Sequence, residues 1–168
     1  IVEPVGQRYS NEIKVGDKSL IINTKVESFK SVNNIAKVIE IPKVFKSPIK
    51  PGDLIMIHHN VFRRFYDVRG NEKNSKAYFK DNLYFVQLDQ IYLYKTNDKW
   101  KAFGERCFVS PIKDEIEINN WSEQSLVGVL KYGNSVLKAL GINEGDLVGY
   151  KPYGEYDFVV DGKRLYCM

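Results

Sequence analysis

The chain has 168 residues, of which 43% are hydrophobic and 27% are charged, and its formal net charge is +4. This apolar content is large enough to offset the entropy lost on ordering the chain, which excludes a disordered protein. A membrane-spanning helix is excluded because no apolar run approaches the roughly 18 residues that a span requires. The small net charge does not by itself indicate a nucleic-acid binder. Because the first residue is Ile1 rather than Met, we expect the chain to be trimmed at its start.

The dominant hydrophobic period along the chain is two, which predicts β-strands. Asp161-Gly162 lies between two apolar runs and predicts a tight hairpin, because this pair tolerates positive φ at both positions. A single short helix is predicted over residues 134–141, with Gly141 as its stop. The class is therefore all-β. The predicted strands, in chain order, are residues 19–26, 35–41, 54–57, 83–88, 91–94, 106–110, 126–130, 147–150, 157–160 and 164–167.

One phrase of the sequence occurs twice. Residues 49–55 match residues 142–148 in character, and each phrase carries Gly-Asp before an apolar strand. A short strand precedes each copy, over residues 20–26 in the first half and 107–112 in the second, and a hairpin follows each. The sequence thus predicts one strand order written out twice. The residues expected to form equivalent turns are Gly52, Asp53, Gly145 and Asp146.

The order of these segments resembles that of a known family. In the second half the matching segments are residues 104–112, 128–133, 141–148 and 156–168; in the first half they are residues 36–38, 51–57 and 84–94. They follow the family's sequence of an opening strand, a loop, a Gly-x-Val strand, a Gly-Asp turn into an apolar strand, and a closing hairpin. The chain in this respect resembles the chaperonin-10 (GroES-like) co-chaperonins, in two tandem copies.

The resemblance implies two small antiparallel GroES-like β-barrels in tandem. The first, residues 1–95, would carry an N-terminal extension and a long basic hairpin. The second, residues 103–168, would stop before the family's final strand, with residues 1–9 as one candidate to complete it. The implied function is a homo-oligomeric ring subunit that caps a large chaperonin to assist protein folding, in the cytoplasm or, for a viral protein, in the host cytoplasm or the virion.

Family members dock on the chaperonin through an aliphatic triplet in the loop after the opening strand. With residues 20–26 taken as the first opening strand, the first loop is residues 27–34, which contain no such triplet. The second loop, residues 113–125, offers exposed apolar anchors of the kind that docking needs. The predicted chaperonin-binding residues are therefore Ile116, Ile118 and Trp121.

Residues 58–80 are predicted to form a basic hairpin rich in aromatic residues. Such a hairpin favours packing against its own sheet or a neighbouring subunit, which suits a non-enzymatic structural module of a larger assembly such as a viral capsid or tail. A third class, single-stranded nucleic-acid binding, stays open because basic and aromatic residues alternate here. The residues assigned to this interface are Phe62, Arg63, Arg64, Phe65, Tyr66 and Arg69.

No set of residues predicts catalysis, a cofactor or a metal. His58 and His59 are adjacent and, in a strand, would point to opposite faces, so they would not chelate one metal together. Cys107 and Cys167 lie in apolar runs, where cysteine behaves as a small hydrophobic residue. We therefore expect a protein that is not an enzyme, that binds no cofactor or metal, and that does not associate with membranes.

Overall fold

The structure, a computed structural model, describes residues 1–9, 12–15, 18–21, 31–44, 46–113, 123–151 and 156–168. For residues 12–15, 18–21, 113 and 123–125 only the backbone is described. The chain divides into two compact units, Ile1–Asp98 and Lys99–Met168.

In the first unit, six strands are hydrogen-bonded in the order β10-β5-β4-β1-β9-β8, and the pairs β2–β3 and β6–β7 form separate hairpins. Every register given for these pairs is antiparallel. Two 3-10 turns, His59–Val61 and Leu88–Gln90, connect strands. The strands are β1 (Val2–Pro4), β2 (Glu12–Val15), β3 (Lys18–Ile21), β4 (Ile35–Val38), β5 (Leu54–Ile57), β6 (Phe65–Tyr66), β7 (Glu72–Lys73), β8 (Tyr78–Lys80), β9 (Leu83–Tyr84) and β10 (Ile91–Thr96).

In the second unit, five antiparallel strands are hydrogen-bonded in the order β14-β13-β12-β16-β15. The predicted short helix is confirmed as α1 (Ser135–Ala139), and Gly141 follows it with a φ of 81°. The Asn134 side chain accepts a hydrogen bond from the Leu137 amide and so caps the helix start. The strands are β11 (Lys99–Ala102), β12 (Phe108–Lys113), β13 (Glu123–Tyr132), β14 (Leu147–Gly149), β15 (Tyr156–Val160) and β16 (Lys163–Cys167).

Each unit has its own apolar core. The first core includes Tyr84 and Phe62, whose rings meet edge-on at 4.9 Å between centroids. The second includes Phe108 and Phe158, with ring centroids 5.8 Å apart. The all-β class is confirmed. Neither strand order closes on itself among the described residues, so these strands form open antiparallel sheets and not hydrogen-bonded closed barrels.

The two sheets share one order of five strands: β5-β4-β1-β9-β8 in the first unit corresponds to β14-β13-β12-β16-β15 in the second. The registers correspond as well. Ala36 lies opposite Pro4 on one side and Ile55 on the other. Gly128 lies in the same way opposite Pro111 and Val148. One blueprint of strand pairing thus occurs in both halves of the chain.

This correspondence corrects the predicted opening strand of the first half. That strand is β1, not residues 20–26, because β1 pairs with β4 in the register that β12 adopts with β13. Residues 1–9 therefore contribute to the first unit and do not complete the second. Leu20 and Ile21 belong to β3, which pairs only with β2 among the described strands. The loop that follows the opening strand consequently spans residues 5–34.

Candidate functional site

The two Gly-Asp phrases form turns with the same backbone hydrogen bonds. The Gly52 amide donates to the Val38 carbonyl at 2.7 Å, and the Gly145 amide donates to the Leu130 carbonyl at 2.8 Å. Both glycines have positive φ, 94° and 99° respectively. A residue with a Cβ is strained in this region, which explains why glycine occupies both positions. The turns fix where β5 and β14 enter their sheets.

The aspartates of these turns also act alike, with one difference. Asp53 Oδ2 accepts a hydrogen bond from the Lys50 amide at 2.9 Å, and Asp146 Oδ2 accepts one from the Asn143 amide at 2.7 Å. Asp53 Oδ2 accepts a second bond, from the Thr96 hydroxyl at the end of β10, at 3.0 Å. The carboxylate in the first unit therefore links the turn to the strand that covers β5.

The predicted basic hairpin over residues 58–80 is instead several short elements, and its first aromatic residue is not at the surface. Phe62 is 0% exposed and packs on Tyr84, so it belongs to the core of the first unit. Its assignment to an interface is wrong in this fold, because its side chain is fully enclosed by the unit's own residues. Phe65 and Tyr66, on β6, are exposed as an interface requires.

Two arginines of this segment, Arg63 and Arg64, contact aromatic and acidic residues of the first unit. The Arg63 guanidinium lies 5.5 Å from the Phe65 ring centroid, and that of Arg64 lies 4.6 Å from the ring centroid of Tyr9. Arg64 Nη1 is also 3.3 Å from Glu72 Oε2. Cation–π contacts and ion pairs of this kind hold the segment on the unit. Of these contacts, the ion pair with Glu72 offsets the charge of Arg64.

The tip of the β6–β7 hairpin is shaped by one carboxylate. Asp67 Oδ1 accepts hydrogen bonds from the amides of Arg69 and Asn71, each at 2.9 Å. The Asn71 amide bond is the main cause that lowers the pKa of Asp67. The turn presents the Arg69 side chain to solvent beside the exposed Val68.

Exposed apolar side chains are concentrated along this part of the first unit. Phe79 on β8 and Phe85 after β9 are both exposed, with ring centroids 4.9 Å apart. Large exposed patches rimmed by polar residues are typical of contact surfaces. Phe85 lies beyond the predicted hairpin of residues 58–80 and was not among the residues predicted for this surface. We use the name aromatic surface for the exposed apolar residues of this stretch, a set defined by exposure alone: Phe65, Tyr66, Val68, Tyr78, Phe79, Phe85 and Leu88.

The two histidines do not point to opposite faces as predicted. Their rings stack with centroids 4.3 Å apart, because the chain leaves its extended conformation at His58 and enters a 3-10 turn at His59. Burial, His58 and Arg63 lower the pKa of His59 to about 4. Burial also lowers the pKa of His58, against the opposing effect of Asp89. The pair is therefore uncharged at neutral pH.

Burial determines the chemistry of both cysteines. It raises the pKa of Cys107, and it raises the pKa of Cys167 to about 12. The thiolate is the nucleophilic form, so both thiols are unreactive at neutral pH. Within the described ranges, no group of three or more His, Cys, Asp or Glu residues is placed to hold a metal ion.

The predicted chaperonin-binding residues Ile116, Ile118 and Trp121 lie outside the described residues. In the part of the chain that is described, no helix has the length and apolar character to cross a bilayer.

Comparison with protein-family models, with curated proteins and with solved structures found no match to this chain.

Proposed function

We propose that this protein is a co-chaperonin-like ring subunit that caps a large chaperonin, built from two GroES-like units in tandem. The observation that carries the proposal is the five-strand order that both units share, with corresponding registers and corresponding Gly-Asp turns. That order follows the strand and turn sequence of the family that the chain resembles. The proposed activity is binding and assembly, without catalysis.

The position of β1 supports a different docking segment from the one the sequence predicted. The loop between opening strand β1 and β4 contains the β2–β3 hairpin. Its sequence runs Leu20-Ile21-Ile22, an aliphatic triplet where family members carry theirs. We therefore propose that this first loop docks on the chaperonin, while Ile116, Ile118 and Trp121 of the second loop remain the alternative.

The test is co-sedimentation of the protein with a double-ring bacterial chaperonin in the presence of ADP, together with the native mass of the protein alone. We expect a complex and a ring-sized homo-oligomer. The paired change Leu20→Ser/Ile21→Ser is expected to abolish the complex and leave the ring intact. The matched change Ile116→Ser/Ile118→Ser in the second loop is expected to leave both unchanged. A monomer that forms no complex would contradict the proposal, and loss of binding only in the second variant would move the docking segment there.

The aromatic surface favours a second function, that of a structural module in a larger assembly such as a viral capsid or tail. Its apolar residues are exposed on one unit, where a neighbouring subunit would bury them. Phe79→Ser/Phe85→Ser is expected to prevent self-assembly if this function is correct. A purified assembly that forms without chaperonin and is lost in this variant would favour the structural module over the co-chaperonin.

The dependence of affinity on salt concentration distinguishes nucleic-acid binding from both of these functions. Binding that neutralises phosphates weakens steeply as salt rises, because counterions are released. Fluorescence polarisation with a labelled single-stranded oligonucleotide, repeated from about 50 to 200 mM salt, measures this directly. A steep fall in affinity with salt would favour nucleic-acid binding, whereas the two functions proposed above predict no such binding; Glu72 already offsets the charge of Arg64.

A further inference from the structure

The two units differ at one edge of the five-strand order that they have in common. In the first unit, β10 pairs with β5 and covers it, so that Ile55 is 1% exposed. The corresponding strand of the second unit, β14, is the last strand of its sheet among the described residues. Leu147 of β14 is 67% exposed, whereas Leu54, which holds the equivalent position in β5, is half-buried. Within the described part of the chain, no strand of the second unit fills the position that β10 fills in the first.

The backbone of β14 has groups directed to this open side. The Leu130 amide donates to the Asp146 carbonyl, and the Tyr150 amide donates to the Leu126 carbonyl, both at 2.9 Å. Antiparallel strands alternate the direction of their backbone groups along the chain. The amides and carbonyls of Leu147 and Gly149, which alternate with these residues, consequently face away from β13.

The side chain of Asp146 is also available at this edge. In the first unit the equivalent Asp53 Oδ2 accepts from both Lys50 and Thr96, and Thr96 is the last residue of β10. Asp146 Oδ2 accepts from the Asn143 amide. Among the described residues, no hydroxyl donates to Asp146 in the way that Thr96 donates to Asp53. A strand on β14 that ends in a hydroxyl residue would supply this bond.

We propose that the open edge of β14 is a strand-acceptor site. It takes an extended peptide, antiparallel to β14, with large apolar residues at alternate positions and a Ser or Thr beside Asp146. The chemistry of this occupant is given by β10, whose residues Ile91, Leu93 and Thr96 fill the equivalent position in the first unit. Main-chain hydrogen bonds provide affinity in this mode of recognition, and side chains provide specificity. The proposal depends on strand pairing alone and is independent of the co-chaperonin function.

The probe is a synthetic, fluorescently labelled peptide with the sequence of residues 88–96, added to the full chain. We expect saturable binding by fluorescence polarisation. Hydrogen–deuterium exchange should show new protection at Leu147 and Gly149.

Replacing Thr96 of the peptide by Val is expected to weaken binding about tenfold, which corresponds to one hydrogen bond to a charged acceptor. Replacing Leu93 of the peptide by Pro is expected to abolish binding, because Leu93 lies opposite Met56 in the native pair and proline has no amide hydrogen.

The protein variants locate the site. Leu147→Lys places a charge on the open edge and is expected to weaken binding at least tenfold; its exposed position keeps the fold, which circular dichroism checks. The matched control is Val159→Lys on β15, the strand at the opposite end of the same sheet, where Val159 is 63% exposed. It should not change binding.

Three results would overturn the proposal. The first is no saturable binding to the unmodified protein. The second is binding that survives Leu147→Lys, or protection that appears on β5 or β15 instead of β14. The third is a dimer of the chain that Leu147→Lys dissociates, which would show that a second copy occupies the edge.

Discussion

The two units of this protein pair their strands in the same order, but they differ in their side chains and in the segments that connect the strands. Ala36 and Gly128 occupy the same register position, as do Ile55 and Val148. The turns before β5 and β14 share their hydrogen bonds, including the aspartate bond to the backbone three residues earlier. Backbone geometry is therefore repeated between the two units more closely than residue identity.

The units differ most in their connections. The first unit inserts the β2–β3 hairpin between β1 and β4, and the 3-10 turn and the β6–β7 hairpin between β5 and β8. In the second unit, the described elements between the corresponding strands include no further strand. Lengthening a connection costs little closure entropy, which explains how one strand order accommodates both. The correspondence between the units ends where an inserted segment of the first unit has become part of its core.

The largest expected effect is at Phe62, which belongs to an insertion of the first unit and yet is fully buried. Phe62→Ala should lower the free energy of unfolding by about 3–5 kcal/mol, the usual cost of truncating a buried phenylalanine. Phe65→Ala is the matched control, since Phe65 is 44% exposed, and should cost less than about 1 kcal/mol. Urea unfolding followed by circular dichroism measures both. Equal effects would show that Phe62 is not a core residue of the first unit.

A smaller effect is expected where the units differ by one methyl group. A Cβ at Gly128 would lie 2.7 Å from the Ser110 carbonyl oxygen, a backbone atom that a rotamer change does not move. Gly128→Ala should therefore destabilise the protein by about 1–3 kcal/mol. Ala36→Gly, at the equivalent position, should cost about 0.5–1 kcal/mol through chain entropy.

Hydrogen exchange of peptides from β12 and β13 localises the Gly128 effect. We expect faster exchange there in Gly128→Ala and in no segment of the first unit. If Gly128→Ala is neutral, then β12 and β13 can separate without cost, and the close approach of these strands is not what requires glycine at this position.

Much of this comparison could be predicted from the sequence, and the exceptions have physical reasons. The all-β class and the short helix followed from apolar periodicity and from Gly141, because both are local signals. The opening strand β1 was missed because it has only three residues, two of which are Glu3 and Pro4. The stronger apolar run at residues 20–22 was chosen instead. A signal was present: Val-x-Pro occurs at Val2 and again at Val109, on corresponding strands.

The candidate site was less predictable than the fold. Composition identified the aromatic and basic character of residues 58–80, but it does not distinguish Phe62, which is buried, from Phe65, which is exposed. That distinction depends on the 3-10 turn that precedes them. The open edge of β14 could not be predicted from the sequence for a different reason. It becomes apparent only when the registers of the two sheets are compared.

The last expected effect is a dependence on pH that arises in the first unit. Both histidines of the chain, His58 and His59, follow β5. The pKa of His59 is lowered from 6.5 to about 4, so between these values the unfolded chain binds a proton that the folded chain does not. The free energy of unfolding should therefore fall as the pH decreases from 6.5 to 4, with a slope of up to one proton from this residue. His59→Gln should reduce that slope, measured as the difference between urea unfolding at pH 7 and pH 4.5.

The NMR titration of the two imidazoles separates this effect from the carboxylates that titrate in the same range. We expect a midpoint near pH 4 for His59, and for His58 a midpoint below its ordinary value, because burial lowers the pKa of His58 against the opposing effect of Asp89. His58→Gln is the matched control: it removes one of the charges that disfavour protonated His59, so the midpoint of His59 should rise. A His59 midpoint near 6.5 in the unmodified protein would mean that the stacked pair is open to solvent and that His59 contributes no pH dependence to stability.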